Sequence, residues 1–263
     1  MLVFRNMAFF YSDESSINVF QYVRYGQTLK SLMESRSVRA KSIMAKQDSP
    51  SCAYCGIEKC RHPEREGNFP YSCARENHKD ILESTVREGW SDPNLRKINT
   101  ACEEVLRLGD SPDGPRWCRV QEVIAYARIM GYRKLGLAFC TGLIDEAKTL
   151  HKILEDNGFV VVSVNCMTGT VDRGKLRVKG KSEFPWVCNP LMQAEVLNRE
   201  KTELNVMVGL CIGHDILFIK RSKADVTPLV VKDRVLCHNP VGALYLHKQY
   251  FRKRLDMRGE RLE

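Results

Sequence analysis

The strongest constraint on the fold is an alternation of short apolar runs with amphipathic stretches, beginning near residue 93. Four runs have the length of a strand and are largely apolar throughout: Leu135–Phe139, Phe159–Val164, Leu204–Leu210 and Pro228–Lys232. Such runs are typical of strands buried on both faces, and their alternation with helices is typical of a parallel sheet. We therefore predict an α/β fold. It is a Rossmann-like, open, mostly parallel sheet of about four strands with helices on both faces, preceded by a cysteine-rich metal-binding segment.

The amphipathic stretches predict the helices of this fold. Asp92 suits an N-cap and is followed by proline, and Asn189 repeats this arrangement later in the chain. The predicted helices are Pro93–Leu108, Val120–Met130, Leu143–Asp156, Pro190–Asn198, one that begins near Asp215, and a last one over Pro240–Arg254. Cys102 and Cys118 fall in the first two helical regions, and we assign both to helix packing.

Four cysteines lie close together in a turn-rich segment: Cys52, Cys55, Cys60 and Cys73. The first two can chelate one ion, and four thiolates satisfy the tetrahedral sulfur coordination of a structural metal site. The alternative is a loop of reduced cysteines, but free cysteine is usually buried rather than gathered in polar turns. We predict that the four hold zinc or an iron–sulfur cluster, since both accept four thiolates.

Other cysteines follow the predicted strands. Cys140 comes directly after the first strand, Cys166 lies shortly after the second, and Cys211 follows the third. Cys188 and Cys237 precede predicted helix starts, where the helix dipole favours a thiolate. Ligands of open parallel sheets bind beyond the carboxyl ends of the strands. We therefore expect these five cysteines to line one crevice that binds a cofactor, either a second metal or cluster or a redox thiol pair.

The turn after the third predicted strand is flanked by glycines and places His214 and Asp215 beside Cys211. His214 is a candidate general acid or base, or a metal ligand. Asp215 is a candidate catalytic residue or simply an N-cap. These three are the candidate catalytic residues of the crevice. Lys232 and Asp233 end the fourth predicted strand and are expected to face the same crevice.

The chain divides into three regions by composition. Residues 1–47 are rich in Ser and Arg and predict a poorly structured extension, or a stretch upstream of a true translation start at Met44. Residues 48–90 form the cysteine-rich metal-binding segment, and residues 91–263 form the α/β domain.

Composition narrows the partners. The formal charge of +9 would suit an anionic partner, but the basic residues are interleaved with acids and no basic helix carries spaced aromatics, so nucleic acid is not expected. No stretch approaches the roughly 20 apolar residues of a membrane span, so no membrane partner is expected. Eleven cysteines without an export signal predict a reducing, cytoplasmic location. A small-molecule substrate fits the crevice, and nothing in the sequence indicates an oligomeric state.

Several of these motifs together resemble a known family. The matching stretches are Cys52–Gly56, Gly136–Cys140, Gly209–Asp215 and Val230–Pro240. From Cys52 to about Leu255, the chain resembles an uncharacterised bacterial and archaeal metal-binding family, the domain of unknown function numbered 1847. The first 43 residues lie outside the resemblance. The resemblance implies metal binding and leaves the chemistry open.

The sequence thus predicts a metal-binding protein with zinc or an iron–sulfur cluster at the N-terminal cysteines. Its cysteine-lined crevice would hold a second metal or cluster for chemistry on a small molecule. The alternative is a non-enzymatic metal-binding or redox-sensing module whose cysteines are structural. Both stay open at this point, because no motif names a reaction.

Overall fold

The computed structural model describes residues 49–176 and 184–258, and the predicted extension over residues 1–47 lies outside them. The described residues divide after Arg87 into two compact units. Each unit is described by itself below.

The first unit consists mainly of turns and short helices. It contains a 3-10 turn over Cys52–Tyr54, helix α1 over Ala74–Asn77 and the beginning of helix α2 over Lys79–Ser91. The sequence prediction missed α2, because its apolar side chains face solvent instead of forming a buried stripe. Ile81, Leu82, Val86 and Trp90 are all exposed.

The second unit carries the α/β fold. Its elements in chain order are α3 Pro93–Gly109, α4 Arg119–Met130, β1 Lys134–Phe139, α5 Ile144–Asp156, β2 Val160–Asn165, β3 Val171–Asp172, β4 Trp186–Val187, α6 Pro190–Arg199, β5 Leu204–Val208, α7 His214–Arg221, β6 Asp225–Val230 and α8 Val241–Tyr245. Strands β3 and β4 form a small antiparallel pair.

The main sheet has four parallel strands in the order β2-β1-β5-β6. At the carboxyl end of β1, Phe139 lies opposite Asn165 of β2 on one side and Val208 of β5 on the other. This register brings the ends of three strands to one level. The predicted α/β fold with a parallel, four-stranded sheet is confirmed.

Helices cover both faces of the sheet. Helices α4 and α5 bury Ala127 and Leu154 against Leu137 of β1 on one face. On the other face, α6 and α7 bury Leu197 and Phe218. The two central strands, β1 and β5, therefore bury both of their faces, which explains their continuous apolar runs in the sequence.

Two predicted N-caps have the expected hydrogen bonds. The Asp92 carboxylate accepts from the backbone N–H groups of Asn94 and Leu95, at 2.7 and 3.1 Å, and α3 begins at the following proline. The Asn189 side chain accepts from the N–H of Met192 at 3.0 Å at the start of α6. Both capping predictions are confirmed.

Two predicted boundaries were wrong. Strand β6 begins at Asp225 rather than Pro228, and the proline is tolerated because β6 is an edge strand. The predicted last helix, Pro240–Arg254, shortens to Val241–Tyr245. Of the apolar side chains in and beyond this helix, Phe251 is buried while Leu244 and Tyr245 are exposed, so no continuous apolar stripe supports a longer helix.

Candidate functional site

Two cysteines lie side by side at the carboxyl edge of the sheet. Cys140 directly follows β1, and Cys166 directly follows β2. The Cys140 N–H donates to the carbonyl of Val208 at 3.1 Å, and the Cys166 N–H donates to the carbonyl of Phe139 at 2.9 Å. The sheet's own hydrogen bonding therefore fixes the backbone of both residues, and both side chains are buried.

A third thiol joins them from the start of α6. The Cys188 Sγ lies 3.5 Å from the Cys166 Sγ and 3.6 Å from the Sδ of Met167. The N–H of Asn189, the cap of α6, donates to the carbonyl of Cys166 at 2.9 Å, which holds the two cysteines next to each other. We call Cys140, Cys166 and Cys188 the thiol cluster.

A lysine that follows β6, the edge strand on the far side of β5 from β1, completes this site. The Nζ of Lys232, two residues beyond β6, lies 2.9 Å from the Cys140 Sγ. Gly209 makes room for this contact: its φ is +61°, and a Cβ there would overlap the side chain of Leu143 and lie 3.6 Å from the Cε of Lys232. A glycine at this position thus lets the lysine approach the end of β1.

The surroundings of Cys140 favour its thiolate. Burial alone would raise the pKa of this thiol, but the Lys232 hydrogen bond, the N–H of Gly142 and the charge of Lys232 together outweigh it. The pKa of Cys140 is therefore lowered from its ordinary value.

Cys166 has the opposite character. Burial raises the pKa of its thiol to about 12, although the N–H of Thr141 donates to its Sγ at 3.4 Å. The adjacent Cys188, whose Sγ lies 3.5 Å away, raises the pKa of Cys166 further. The cluster therefore places a thiol of lowered pKa and a thiol of raised pKa at the ends of neighbouring strands.

A buried glutamine holds the carboxyl ends of β1 and β2 in place. Gln193 of α6 is fully buried, and its Nε2 donates to the carbonyls of Phe139 and Val164 at 3.2 and 2.7 Å. These carbonyls close the ends of β1 and β2, so Gln193 ties α6 to both strand ends. Sequence analysis missed this residue, because a single polar side chain on an apolar helix face carries no motif.

The candidate catalytic residues Cys211, His214 and Asp215 occupy the next turn. The Cys211 Sγ accepts a contact from Arg234 at 3.4 Å. One carboxylate oxygen of Asp215 accepts from the N–H groups of Gly213 and Ile216, at 2.9 and 2.7 Å, so it stabilises the start of α7. His214 is the first residue of that helix and is half-buried.

Cys237 lies in a tight turn and is exposed. The turn is closed by the N–H of Asp233, which donates to the Nδ1 of His238 at 3.1 Å, and by the return bond from the His238 N–H to the Asp233 carbonyl at 2.8 Å. Cys237 and His238 both have positive φ. The predicted helix start beside Cys237 was wrong by one position, since Pro240 takes the N-cap place and α8 begins after it.

The four N-terminal cysteines share one cavity. Cys52, Cys55, Cys60 and Cys73 all line a cavity of about 320 Å³ in the first unit. A backbone hydrogen bond of 3.1 Å from the N–H of Ser51 to the carbonyl of Ser72 brings the two ends of the set together. We call these four residues the N-terminal cysteine set.

The same cavity is lined by cations. Lys59, Arg61 and Arg75 contribute to its wall and outnumber the single carboxylate there, Glu58, and Phe69 lines it as well. The Lys59 Nζ and the Arg75 Cζ each lie 5.6 Å from the centre of the Phe69 ring.

Neither group is a ready-made metal site. Within residues 49–176 and 184–258, no three Cys, His, Asp or Glu side chains converge closely enough to hold an ion. The four N-terminal cysteines line one cavity without meeting at a single point. Metal ligands seldom converge fully before the metal binds.

All eleven cysteines lie in the described residues, and all are free thiols. The assignment of Cys102 and Cys118 to packing was wrong, because both are exposed. Cys102 lies on α3 and lines an open cavity that residues of α4 and β6 also line, and Cys118 is the N-cap residue of α4.

Over the part of the chain that the structure describes, the helices are too short or too polar for any of them to cross a membrane.

The fold and its edge define a class, a Rossmann-like α/β protein with clustered thiols at the carboxyl ends of its strands. The chain belongs to the family described as "Protein of unknown function (DUF1847)", whose model matches residues 73–229. It is similar to an uncharacterized protein of Methanocaldococcus jannaschii, with 43% identity over 180 residues that cover 68% of this chain and 90% of the relative. The predicted family is confirmed, and the metal binding that the resemblance implies stays a prediction.

The family match divides the two groups of cysteines. It includes the thiol cluster and Cys73, whereas Cys52, Cys55 and Cys60 precede the matched residues. Lys232 follows shortly after the last matched residue.

Proposed function

We propose that the protein binds zinc or an iron–sulfur cluster through the N-terminal cysteine set. The observation that carries the proposal is that all four cysteines line the same cavity of about 320 Å³. Their spacing in the chain supports the proposal independently, because it suits a tetrahedral sulfur site.

The donor set and the charges around it fit this group of metals. Four thiolates around a zinc ion, or around a [4Fe–4S]²⁺ cluster, leave a net negative charge. The basic side chains of Lys59, Arg61 and Arg75 would compensate it. When bound, the metal would cross-link turns that have little other support.

The proposed zinc or iron–sulfur site does not include the thiol cluster. A second metal or cluster there, serving chemistry on a small molecule, stays a prediction. The contact between Lys232 and Cys140 favours a metal-free thiol site instead, since an ammonium group repels a metal cation at the same sulfur. Eleven free thiols also support a reducing, cytoplasmic setting.

The experiment is metal and sulfide analysis of the full chain purified without oxygen. About one zinc ion per chain, or iron with labile sulfide, is the expected result. The double variant Cys52→Ser/Cys55→Ser and the single variant Cys73→Ser should lose this metal. The matched control Cys102→Ser/Cys118→Ser removes two exposed thiols and should retain it.

Two results would contradict the proposal. One is metal-free protein after anaerobic purification that also fails to take up added zinc. The other is metal that persists in Cys52→Ser/Cys55→Ser but is lost when Cys140 or Cys166 is replaced, which would place the metal at the strand ends.

A further inference from the structure

The geometry of the thiol cluster points to a redox activity separate from the proposed N-terminal metal. We propose that Cys140 and Cys166 form a redox-active dithiol, in which Cys140 is the nucleophile, Cys166 is the resolving thiol and a small hydroperoxide is the oxidant.

The sheet register places the two residues for disulfide formation. Phe139 lies opposite Asn165, so the next residues, Cys140 and Cys166, lie opposite each other one step beyond the paired strands. Neighbouring strands are about 4.8 Å apart. This spacing falls within the range of roughly 4.4–6.8 Å between the Cα atoms of natural disulfides. Both side chains also lie on the face covered by α6 and α7.

The surroundings of the two sulfurs assign their order of reaction. Lys232 contacts Cys140 at 2.9 Å, and its charge stabilises the thiolate at this sulfur. The pKa of Cys140 is lowered, while burial raises the pKa of Cys166 to about 12. Because the thiolate is the reactive form, Cys140 attacks first and Cys166 stays a thiol until the second step.

Burial limits the size of the oxidant. The exposed fraction is 8% for Cys140 and 2% for Cys166. An attack on a peptide or other bulky disulfide would need a more open sulfur, because the substrate must approach along the line of the breaking bond. A hydroperoxide presents a single small oxygen to the nucleophile.

The first step forms a sulfenic acid. The Cys140 thiolate attacks the terminal peroxide oxygen, so an S–O bond forms and the O–O bond breaks. The departing oxygen takes a proton from the Lys232 ammonium and leaves as an alcohol, or as water when the oxidant is hydrogen peroxide. Cys140 is oxidised and the peroxide is reduced.

The second step forms the disulfide. The Cys166 sulfur attacks the Cys140 sulfur, the S–O bond breaks, and the leaving hydroxide departs as water with the Cys166 proton. Lys232 recovers its proton from solvent. In total, two thiols become one disulfide and one hydroperoxide is reduced, and an external dithiol returns the pair to its starting state.

The test exposes the reduced full chain to hydrogen peroxide, quenches it with acid, and measures every cysteine by alkylation and peptide mass spectrometry. The wild type should form a Cys140–Cys166 disulfide before the exposed Cys118 is oxidised. In Cys166→Ser, a 1,3-diketone probe should trap a sulfenic acid at Cys140. In Cys140→Ser, oxidation of Cys166 should be no faster than that of Cys118.

The lysine and the oxidant size are tested in the same assay. Lys232→Met should slow oxidation of Cys140 by about tenfold or more, the change in thiolate fraction that one pKa unit produces. Lys232→Arg should restore part of the rate, and Lys220→Met, which removes an exposed lysine of α7, should leave it unchanged. Cumene hydroperoxide should oxidise Cys140 more slowly than hydrogen peroxide does.

Two results overturn the proposal, and the first is read on the wild type so that misfolding of a variant cannot obscure it. One is Cys140 that remains a thiol while Cys118 is oxidised. The other is an unchanged rate of Cys140 oxidation in Lys232→Met. Both readouts are specific to Cys140, so a metal at the N-terminal cysteine set changes neither of them.

Discussion

The N-terminal cysteine set and the thiol cluster use the same side chain in opposite ways. In the N-terminal set, Cys52 and Cys60 are exposed and only turns hold them. In the thiol cluster, Cys140 and Cys166 are buried, and the register of the sheet fixes both backbones. Cysteines that only turns hold suit a metal site, because the bound metal itself fixes their positions. A thiol that is already placed beside a cation suits chemistry at the sulfur itself.

The largest expected effect is the loss of structure in the first unit when its metal is removed. Of the described residues 49–87, only Cys73 is buried, so this unit has almost no apolar core of its own. Small segments of this kind depend on a metal for folding. We expect Cys73→Ser, or a strong chelator, to abolish protection from hydrogen exchange over residues 49–87 while residues 119–176 and 184–230 stay protected.

The control for this prediction is Cys102→Ser, which should leave exchange unchanged in both units. Equal protection of residues 49–87 with and without metal would remove the contrast between the two groups of cysteines.

The second prediction concerns the sheet that holds the thiol cluster. A Cβ at Gly136 of β1 would overlap the Oδ1 of the fully buried Asn205. Asn205 is held there by hydrogen bonds of 2.8 Å with the hydroxyls of Thr202 and Ser222, so it cannot simply move away. Gly136→Ala should therefore destabilise the second unit by about 1–3 kcal/mol, the usual cost of overpacking.

Urea unfolding measures this change, and metal content should stay at the wild-type level because Gly136 is remote in sequence from the N-terminal set. The matched control is Gly89→Ala in α2, where a Cβ meets no atom within 4 Å. An alanine in an exposed helix is neutral or stabilising. Wild-type stability of Gly136→Ala would show that the sheet tolerates change at the strand beneath Cys140.

The sequence predicted more of the sheet than of the site. Apolar runs and capping residues identify strands and helices, because burial and hydrogen bonding act locally along the chain. The contact of Lys232 with Cys140 joins residues that are far apart in sequence, and it reaches past β5, which lies between β1 and β6 in the strand order β2-β1-β5-β6. Sequence reasoning expected both at one sheet edge, but it had no means to pair them with each other rather than with Cys211 or Cys237.

The sequence predictions for α2 and for the C-terminal segment were wrong for a related reason. Helix prediction from a sequence depends on a buried apolar stripe, and α2 forms with Ile81 and Trp90 exposed. At the C-terminus, the predicted helix Pro240–Arg254 is longer than the observed one, since α8 ends at Tyr245. In both places the apolar pattern did not coincide with a surface that buries it.

The third prediction compares the thiols by their pH dependence. Because the pKa of Cys140 is lowered, its thiolate should appear at a lower pH than a thiolate of ordinary pKa, so alkylation of Cys140 should begin at lower pH once accessibility is taken into account. The pKa of Cys166 is raised to about 12, so its alkylation should stay slow through neutral and mildly alkaline pH. At neutral pH we expect the thiolate-dependent rates of the two to differ by about tenfold or more.

Iodoacetamide labelling of the native chain between pH 5 and 10, read by mass spectrometry at each cysteine, measures both profiles. Lys232→Met should move the Cys140 profile to higher pH and leave the Cys166 profile nearly in place. Profiles of Cys140 and Cys166 with the same midpoint would mean that the lysine does not distinguish the two sulfurs.

The smallest expected effect concerns the two capping residues Asn189 and Asp92, of which only Asn189 lies beside the thiol cluster. Asn189 caps α6 and Asp92 caps α3, each through side-chain bonds to backbone N–H groups, so replacing either by alanine should cost about 1 kcal/mol of stability.

Asn189 directly follows Cys188 in the chain, and its side chain also donates to the carbonyl of Gly169 at 2.7 Å. Asn189→Ala should therefore also loosen the 3.5 Å contact between Cys188 and Cys166, and Asp92→Ala should not. Labelling of Cys188 should accelerate in the first variant alone, because only there does the lost cap lie beside the cluster. Equal acceleration in both would mean that general destabilisation, rather than local geometry, controls access to these thiols.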